Sequence, residues 1–166
     1  MGIDLKNWMQ NLPDGSDLLA LNLCGTHDCV TQHIRLPHFF CCQDLTVYEQ
    51  LLLGVRALDI RVRADGKCLT MVHGIFPAYN HSCHRANLMD MGDVLSQCYR
   101  FLDECPGEAV VFQFKNDNGK ENEQCFDNLF YTYIKGKEPY WYLEDRVPTL
   151  KRNTEGKRGG RGGRRS

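Results

Sequence analysis

The sequence predicts an α/β protein in which helices pack on one sheet, and three observations carry that expectation. Met91, Val94, Leu95, Cys98, Phe101, Leu102 and Cys105 recur at three- and four-residue spacing, the stripe of an amphipathic helix that Pro106-Gly107 ends. Residues 109–114 form a continuous strand-like run. Short runs of the two kinds alternate along the chain, as they must when helices cover a sheet. With 42% hydrophobic and 25% charged residues among 166, the chain has the makeup of one domain able to bury a core.

Residues 18–23 read as a short buried strand between Asp14-Gly15-Ser16 and Cys24-Gly25-Thr26, leaving Gly25-Thr26-His27-Asp28 at its C-terminal end. Thr46 opens a capping box with Glu49, and Val47, Leu51 and Leu52 make a short helix that stops at Gly54. Residues 55–62 are the next strand. Asp65-Gly66 signals a tight turn, and residues 68–72 resume an extended pattern ending in His73-Gly74, so a hairpin is expected. If Asp65 and Gly66 are its two central residues, His73 lies opposite Leu58. A longer turn moves it towards Asp59 or Arg61, and each register leaves His73 beside those two. Phe126, Leu129, Phe130, Tyr133 and Ile134 mark a further helix before Gly136.

The net charge of −1 hides an asymmetry, because residues 151–166 hold seven Lys or Arg against one acid while residues 1–150 are acidic. From Gly156 onward only Gly and Arg occur, apart from Lys157 and Ser166, and such a tail is expected to be disordered. Arg-Gly tails bind phosphate backbones, yet residues 151–166 contain no aromatic and the body is acidic, so nucleic acid is not the expected partner. No run approaches the roughly 18 apolar residues of a membrane span, residues 1–10 lack a signal-peptide pattern, and Lys6 stands where myristoylation wants Ser or Thr. A cytoplasmic or membrane-peripheral location is therefore favoured. The nine cysteines show no C-x-x-C spacing, adjacent Cys41-Cys42 is unsuited to an ordinary long-loop disulfide, and the redox compartment stays open. His81, Cys83 and His84 lack a second ligand pair at finger-like spacing, so no metal and no cofactor is expected.

His27-Asp28 at the exit of one strand, Asp59-x-Arg61 at the exit of the next and His73-Gly74 beyond it bring acid, base and cation to one end of a sheet, where α/β enzymes place their sites. Singly, each has a structural alternative: His27 as a satisfied histidine, Asp59 with Arg61 as a plain ion pair.

Together with Asn7-Trp8-Met9, Leu12-Pro13, Gln43, Glu49-Gln50-Leu51, Gly54-Val55-Arg56, Glu108-Ala109-Val110-Val111 and Val147-Pro148-Thr149-Leu150, these motifs resemble the phosphatidylinositol-specific phospholipase C X domain. The likeness spans residues 7–150 and is nearest to the small X-domain-only eukaryotic members and to the bacterial enzymes. It implies a TIM-barrel-like fold, of which this chain holds the N-terminal half. It also implies a phosphoric diester hydrolase that cleaves phosphatidylinositol-type lipids at a membrane surface through a cyclic inositol phosphate. By the family pattern His27 is the base, His73 the acid and Arg61 the phosphate clamp. Asp28 and Asp59 orient them, and Lys115 joins Arg61 in binding substrate. The large signalling members usually carry a calcium-binding amide after the first histidine and an acid in place of the arginine. Asp28 and Arg61 thus imply metal independence.

Two departures stand out. Cys24 and Cys29 occupy positions where Pro and Ser are usual, and the barrel strands expected after Leu150 give way to Lys151-Arg152 and the Gly/Arg tail. Half a barrel cannot close, so one sheet edge is expected to face water. The alternative expectation is a truncated, non-catalytic product acting, if at all, as a binding protein.

Overall fold

The computed structural model describes residues 2, 4–64, 67–82, 87–117 and 123–150. The Asp65-Gly66 turn, Cys83, His84 and the tail at 151–166 lie outside the described residues.

Among the described residues five strands form one sheet: β1 (Gly25–Thr26), β2 (Ala57–Ala64), β3 (Leu69–His73), β4 (Phe76–Pro77) and β5 (Val111–Asn116). The helices are α1 (Pro37–Phe40), α2 (Val47–Leu52), α3 (Met91–Glu104) and α4 (Glu123–Ile134). β5 runs parallel along one edge of β2, with Ala57 facing Val111 and Val62 facing Asn116. The other edge of β2 is shared. β1 pairs with it in parallel at Ala57 and Leu58, while β3 pairs antiparallel from Val62 to Ala64. Two half-ladders therefore arrive from opposite ends and leave Asp59, Ile60 and Arg61 between them. A Cβ at Gly25 would lie 3.2 Å from the Ala57 Cβ, so glycine is what lets β1 approach β2 so closely.

Burial along β2 alternates strictly. Leu58, Ile60, Val62 and Ala64 face the helices and join Leu51, Val94, Leu95, Cys98 and Phe101 in the main core. Burying a side chain such as Phe101 stabilises the fold by roughly 1.5–3 kcal/mol. The opposite face of β2 carries Asp59 and Arg61, and the register sets Gln113 and Lys115 of β5 beside them.

The α3 stripe forms as the spacing predicts, and Asp90 and Asp93 close its first turn in a reciprocal capping box. The Thr46–Glu49 box opens α2, and Gly54 takes the left-handed conformation that ends it, φ 96°. Behind the sheet Arg56 is fully buried. It pairs with Glu108 at 2.8 Å and donates to the Leu51, Val55 and Lys6 carbonyls, while Glu108 accepts from the backbone of Met9 and Gln10. This network ties the N-terminal turns to the strands.

One expectation is corrected. The run at 18–23 is not a strand: Leu18–Ala20 is a 3₁₀ turn in which the Asp17 carboxylate accepts the Leu19 N–H, and Leu19 is 74% exposed. A local side-chain cap has outcompeted sheet pairing there. Of the two hairpin alternatives the longer one forms: Ala64 faces Leu69, so the connection is two residues longer than a two-residue turn. A shift of two keeps every side chain on its own face, so hydrophobic patterning cannot distinguish the two registers. Beyond Met71 the strand leaves β2 and pairs with β4, His73 facing Phe76.

Candidate active site

His27 follows the last residue of β1, and Asp28 turns the chain with a left-handed backbone, φ 45°. That bend buries the Asp28 carboxylate between both histidines and the arginine. Its Oδ2 lies 2.6 Å from His73 Nδ1 and 3.3 Å from His27 Nε2, and its Oδ1 lies 3.4 Å from Arg61 Nε. Asp59 Oδ2 is 2.6 Å from His27 Nδ1 and 3.2 Å from Arg61 Nη2. His73 Nδ1 thus meets Asp28, because β3 has already left β2 at this point. The expectation that it lies directly beside Asp59 and Arg61 is modified accordingly.

The strand positions explain the grouping. Asp59 and Arg61 project from the stretch of β2 that neither half-ladder covers, and His27 and His73 end the two segments that flank it. Gln50, buried in α2, accepts a hydrogen bond from Thr26 Oγ1 at 2.7 Å and donates to the Cys29 and Leu45 carbonyls. Thr31 Oγ1 donates to the Asp28 carbonyl and accepts from the backbone N–H of Cys42 and Gln43. Gln43 Nε2 in turn donates to the His27 carbonyl at 3.0 Å. The loop at 41–43 is thereby folded over the site.

Burial alone would raise the Asp59 carboxyl, but hydrogen bonds from Arg61 and His27 outweigh it and hold the group below the ordinary aspartate value. The Asp59 hydrogen bond and the surrounding carboxylates keep the Arg61 guanidinium above its ordinary value, against desolvation. Lys115 ion-pairs with Asp117 at 2.9 Å, and Asp117 reaches Arg61 Nη1 at 3.5 Å. The pair with Lys115 overcomes burial and lowers the Asp117 carboxyl. Lys115 therefore connects to Arg61 through Asp117.

Sequence reasoning missed Asp117, Cys42 and Phe40. Asp117 had a signal, since it follows Asn116 at the exit of β5, the position His27 and Asp28 hold after β1. Cys42 had none, because it comes within 3.9 Å of His73 Nδ1 only through the Thr31-held loop. Phe40 stacks on Phe76 at 4.3 Å between ring centres and covers His73 at 5.7 Å. Of the zinc alternative, His81 is exposed, and Cys83 and His84 lie outside the described residues. A cleft of about 860 Å³ lies elsewhere, between α3, β5 and residues 139–148, and contains none of these groups.

No protein-family model matches the chain. It is 27% identical over 160 residues to the 1-phosphatidylinositol phosphodiesterase of Listeria monocytogenes, covering 90% of this chain and 46% of that protein. It is 29% identical over 161 residues to the enzyme of the same name from Staphylococcus aureus, covering 92% and 49%. Among solved structures, a phosphatidylinositol-specific phospholipase C of S. aureus superposes with a TM-score of 0.74 at 27% identity, covering 89% of this chain and 49% of that one. The L. monocytogenes phospholipase gives 0.71 at 26%, covering 91% and 54%. The chain spans about half the length of the curated relatives it matches. Its five-stranded α/β sheet corresponds to part of their TIM barrel, and the chain is a homologue of the bacterial phosphatidylinositol-specific phospholipases C.

Proposed function

We propose that this site cleaves the glycerol–phosphate bond of phosphatidylinositol-type lipids by paired histidine acid–base catalysis, with a cyclic inositol phosphate as intermediate. The observation that carries the reading is the arrangement around Asp28 and Asp59, each of which holds one histidine by Nδ1 at 2.6 Å. A histidine donating its Nδ1–H to a carboxylate keeps Nε2 for proton transfer. His27 Nε2 takes the proton of the inositol hydroxyl neighbouring the phosphate as that oxygen attacks phosphorus. The bond to the glycerol oxygen breaks, and His73 Nε2 gives its proton to the departing diacylglycerol. Water then opens the cyclic phosphate with the two roles reversed.

Arg61 supplies the charge. Its contacts with Asp28, Asp59 and Asp117 are all 3.2–3.5 Å, longer than the roughly 2.7–2.9 Å of a tight charge-assisted pair, so they can yield to phosphoryl oxygens. Lys115 acts with it at the rim. A guanidinium at this position removes the need for a divalent cation in the reaction, which favours the X-domain-only, bacterial-like type over the signalling type.

Phe39 on α1 is 80% exposed, and Ile75, next but one to His73, is 66% exposed. Exposed apolar groups of this kind beside a site that acts on lipid suit a peripheral membrane contact. No helix among the described residues is long and apolar enough to cross a membrane. The assembled pair of histidines disfavours the alternative of a non-catalytic binding fragment.

The test is release of cyclic inositol phosphate from phosphatidylinositol vesicles. His27→Ala and His73→Ala should each lower turnover by about 10³-fold or more with melting unchanged. A folded variant retaining more than a tenth of the wild-type rate removes that histidine from the mechanism.

A further inference from the structure

Donor atoms of His27, Asp28 and Cys42 all lie within 4.8 Å of one another. We propose that these three residues form a binding site for a thiophilic divalent cation of the zinc class, and that its occupancy inhibits the enzyme. The inhibition rests on the catalytic roles assigned above; the binding does not.

The spacing fits. In a tetrahedral zinc site, nitrogen and oxygen ligands at about 2.0–2.1 Å stand roughly 3.3–3.4 Å apart, and a thiolate at about 2.3 Å stands roughly 3.5 Å from either. His27 Nε2 and Asp28 Oδ2 already lie 3.3 Å apart. The Cys42 sulfur, within 4.8 Å of both, has at most about 1.3 Å to close. Cys42 is exposed and the His27 side chain is 60% exposed, so the thiol can rotate inward and a fourth position stays open to water.

The surroundings fit as well. His27 Nδ1 is held by Asp59 at 2.6 Å, the carboxylate–histidine arrangement that fixes a ligating imidazole and directs its other nitrogen at a metal. Asp28 is 2% exposed, and its Oδ1 makes no hydrogen bond of acceptable geometry although Arg61 Nε is 3.4 Å away. A buried carboxylate with unused acceptor capacity gains from a second cation. Thiolate, imidazole and carboxylate together select zinc-like ions over calcium or magnesium, which prefer oxygen alone.

Binding is balanced by one proton: the Cys42 thiol loses its hydrogen to solvent as the sulfur–metal bond forms. The cation then occupies the Nε2 lone pair that His27 uses as a base. It also draws Asp28 away from His73, which that carboxylate holds at 2.6 Å. Both proton-transfer groups are disabled by one ion.

Cobalt(II) is the probe for binding and zinc chloride for inhibition. Titrating the full chain with cobalt should produce a thiolate-to-cobalt charge-transfer band. That band should vanish in Cys42→Ser and Cys42→Ala, persist in Cys41→Ser, and need at least tenfold more cobalt in Asp28→Asn. Zinc should inhibit lipid turnover reversibly. Its half-inhibiting concentration should rise at least tenfold in Cys42→Ser, measured against that variant's own zinc-free rate. A band that survives both Cys42 substitutions, or zinc inhibition that ignores them, overturns the inference. A chain that turns over lipid without a Cys42-dependent band refutes the metal site and leaves the phospholipase reading intact. A Cys42-dependent band in a chain without turnover does the reverse.

Discussion

Arg61 faces three carboxylates, those of Asp28, Asp59 and Asp117, and none of the contacts is short. Such a cation is poised to exchange partners more than to lock a structure. If it grips phosphoryl oxygens with its planar fork, Arg61→Lys keeps the charge and loses the geometry. Turnover should then fall by about 10²-fold or more while stability changes by under roughly 1 kcal/mol. Rate and melting temperature measured on one preparation decide the matter, and near-normal turnover with clear destabilisation refutes the clamp. His27, Asp28 and His73 were legible as residues at the ends of strands, whereas Asp59 and Arg61, expected at the exit of the next strand, lie inside β2, because that strand runs on to Ala64. Cys42 was not legible, since its place depends on a loop held by Thr31, and no spacing rule connects positions 31 and 42.

At the level of elements, α3 was readable because seven apolar residues mark one face of a single long helix. The segment at 18–23 misled because its composition suits a strand while Asp17 caps a tight turn. The hairpin register escaped because a two-residue slip preserves the inside–outside pattern. The Arg56–Glu108 pair behind the sheet is fully desolvated, so removing one partner leaves a buried unpaired charge. Glu108→Ala should cost about 3–5 kcal/mol, read as a large shift in the denaturant midpoint, and a loss below about 1 kcal/mol would mean the network is dispensable. At the end of α3, hydrogen bonds from Tyr48 and Lys6 hold Glu104 down to about 2. A carboxyl with an unfolded value of about 4.3 and a lower folded one adds stability above that pH and loses it as pH falls towards the folded value. The melting difference between wild type and Glu104→Gln should therefore be present at pH 7 and shrink between pH 4 and 2. A difference that stays constant over that range removes the assignment.

For the whole molecule, the decisive feature is the outer edge of β5, which pairs with no strand among the described residues. Tyr99, Phe112, Phe114, Phe130 and Trp141 line the cleft beside it. An unpaired edge next to aromatic surface favours association. Sedimentation velocity should show self-association rising with protein concentration, and Gln113→Lys, a charge on this exposed edge position, should reduce it. A chain that stays monomeric at every concentration would mean that this edge is protected.

The left-handed backbone of Asp28 restricts what evolution can place there. That conformation is comfortable for glycine, tolerable for aspartate and asparagine, and strained for nearly every other side chain. The bend therefore biases position 28 towards an acid, an amide or no side chain. A lineage drifting at this site can exchange a proton-holding group for a neutral ligand without rebuilding the turn, whereas a hydrophobe carries the backbone cost that Leu36 bears at φ 57°. The bend weights the choice of side chain before selection for activity begins to act.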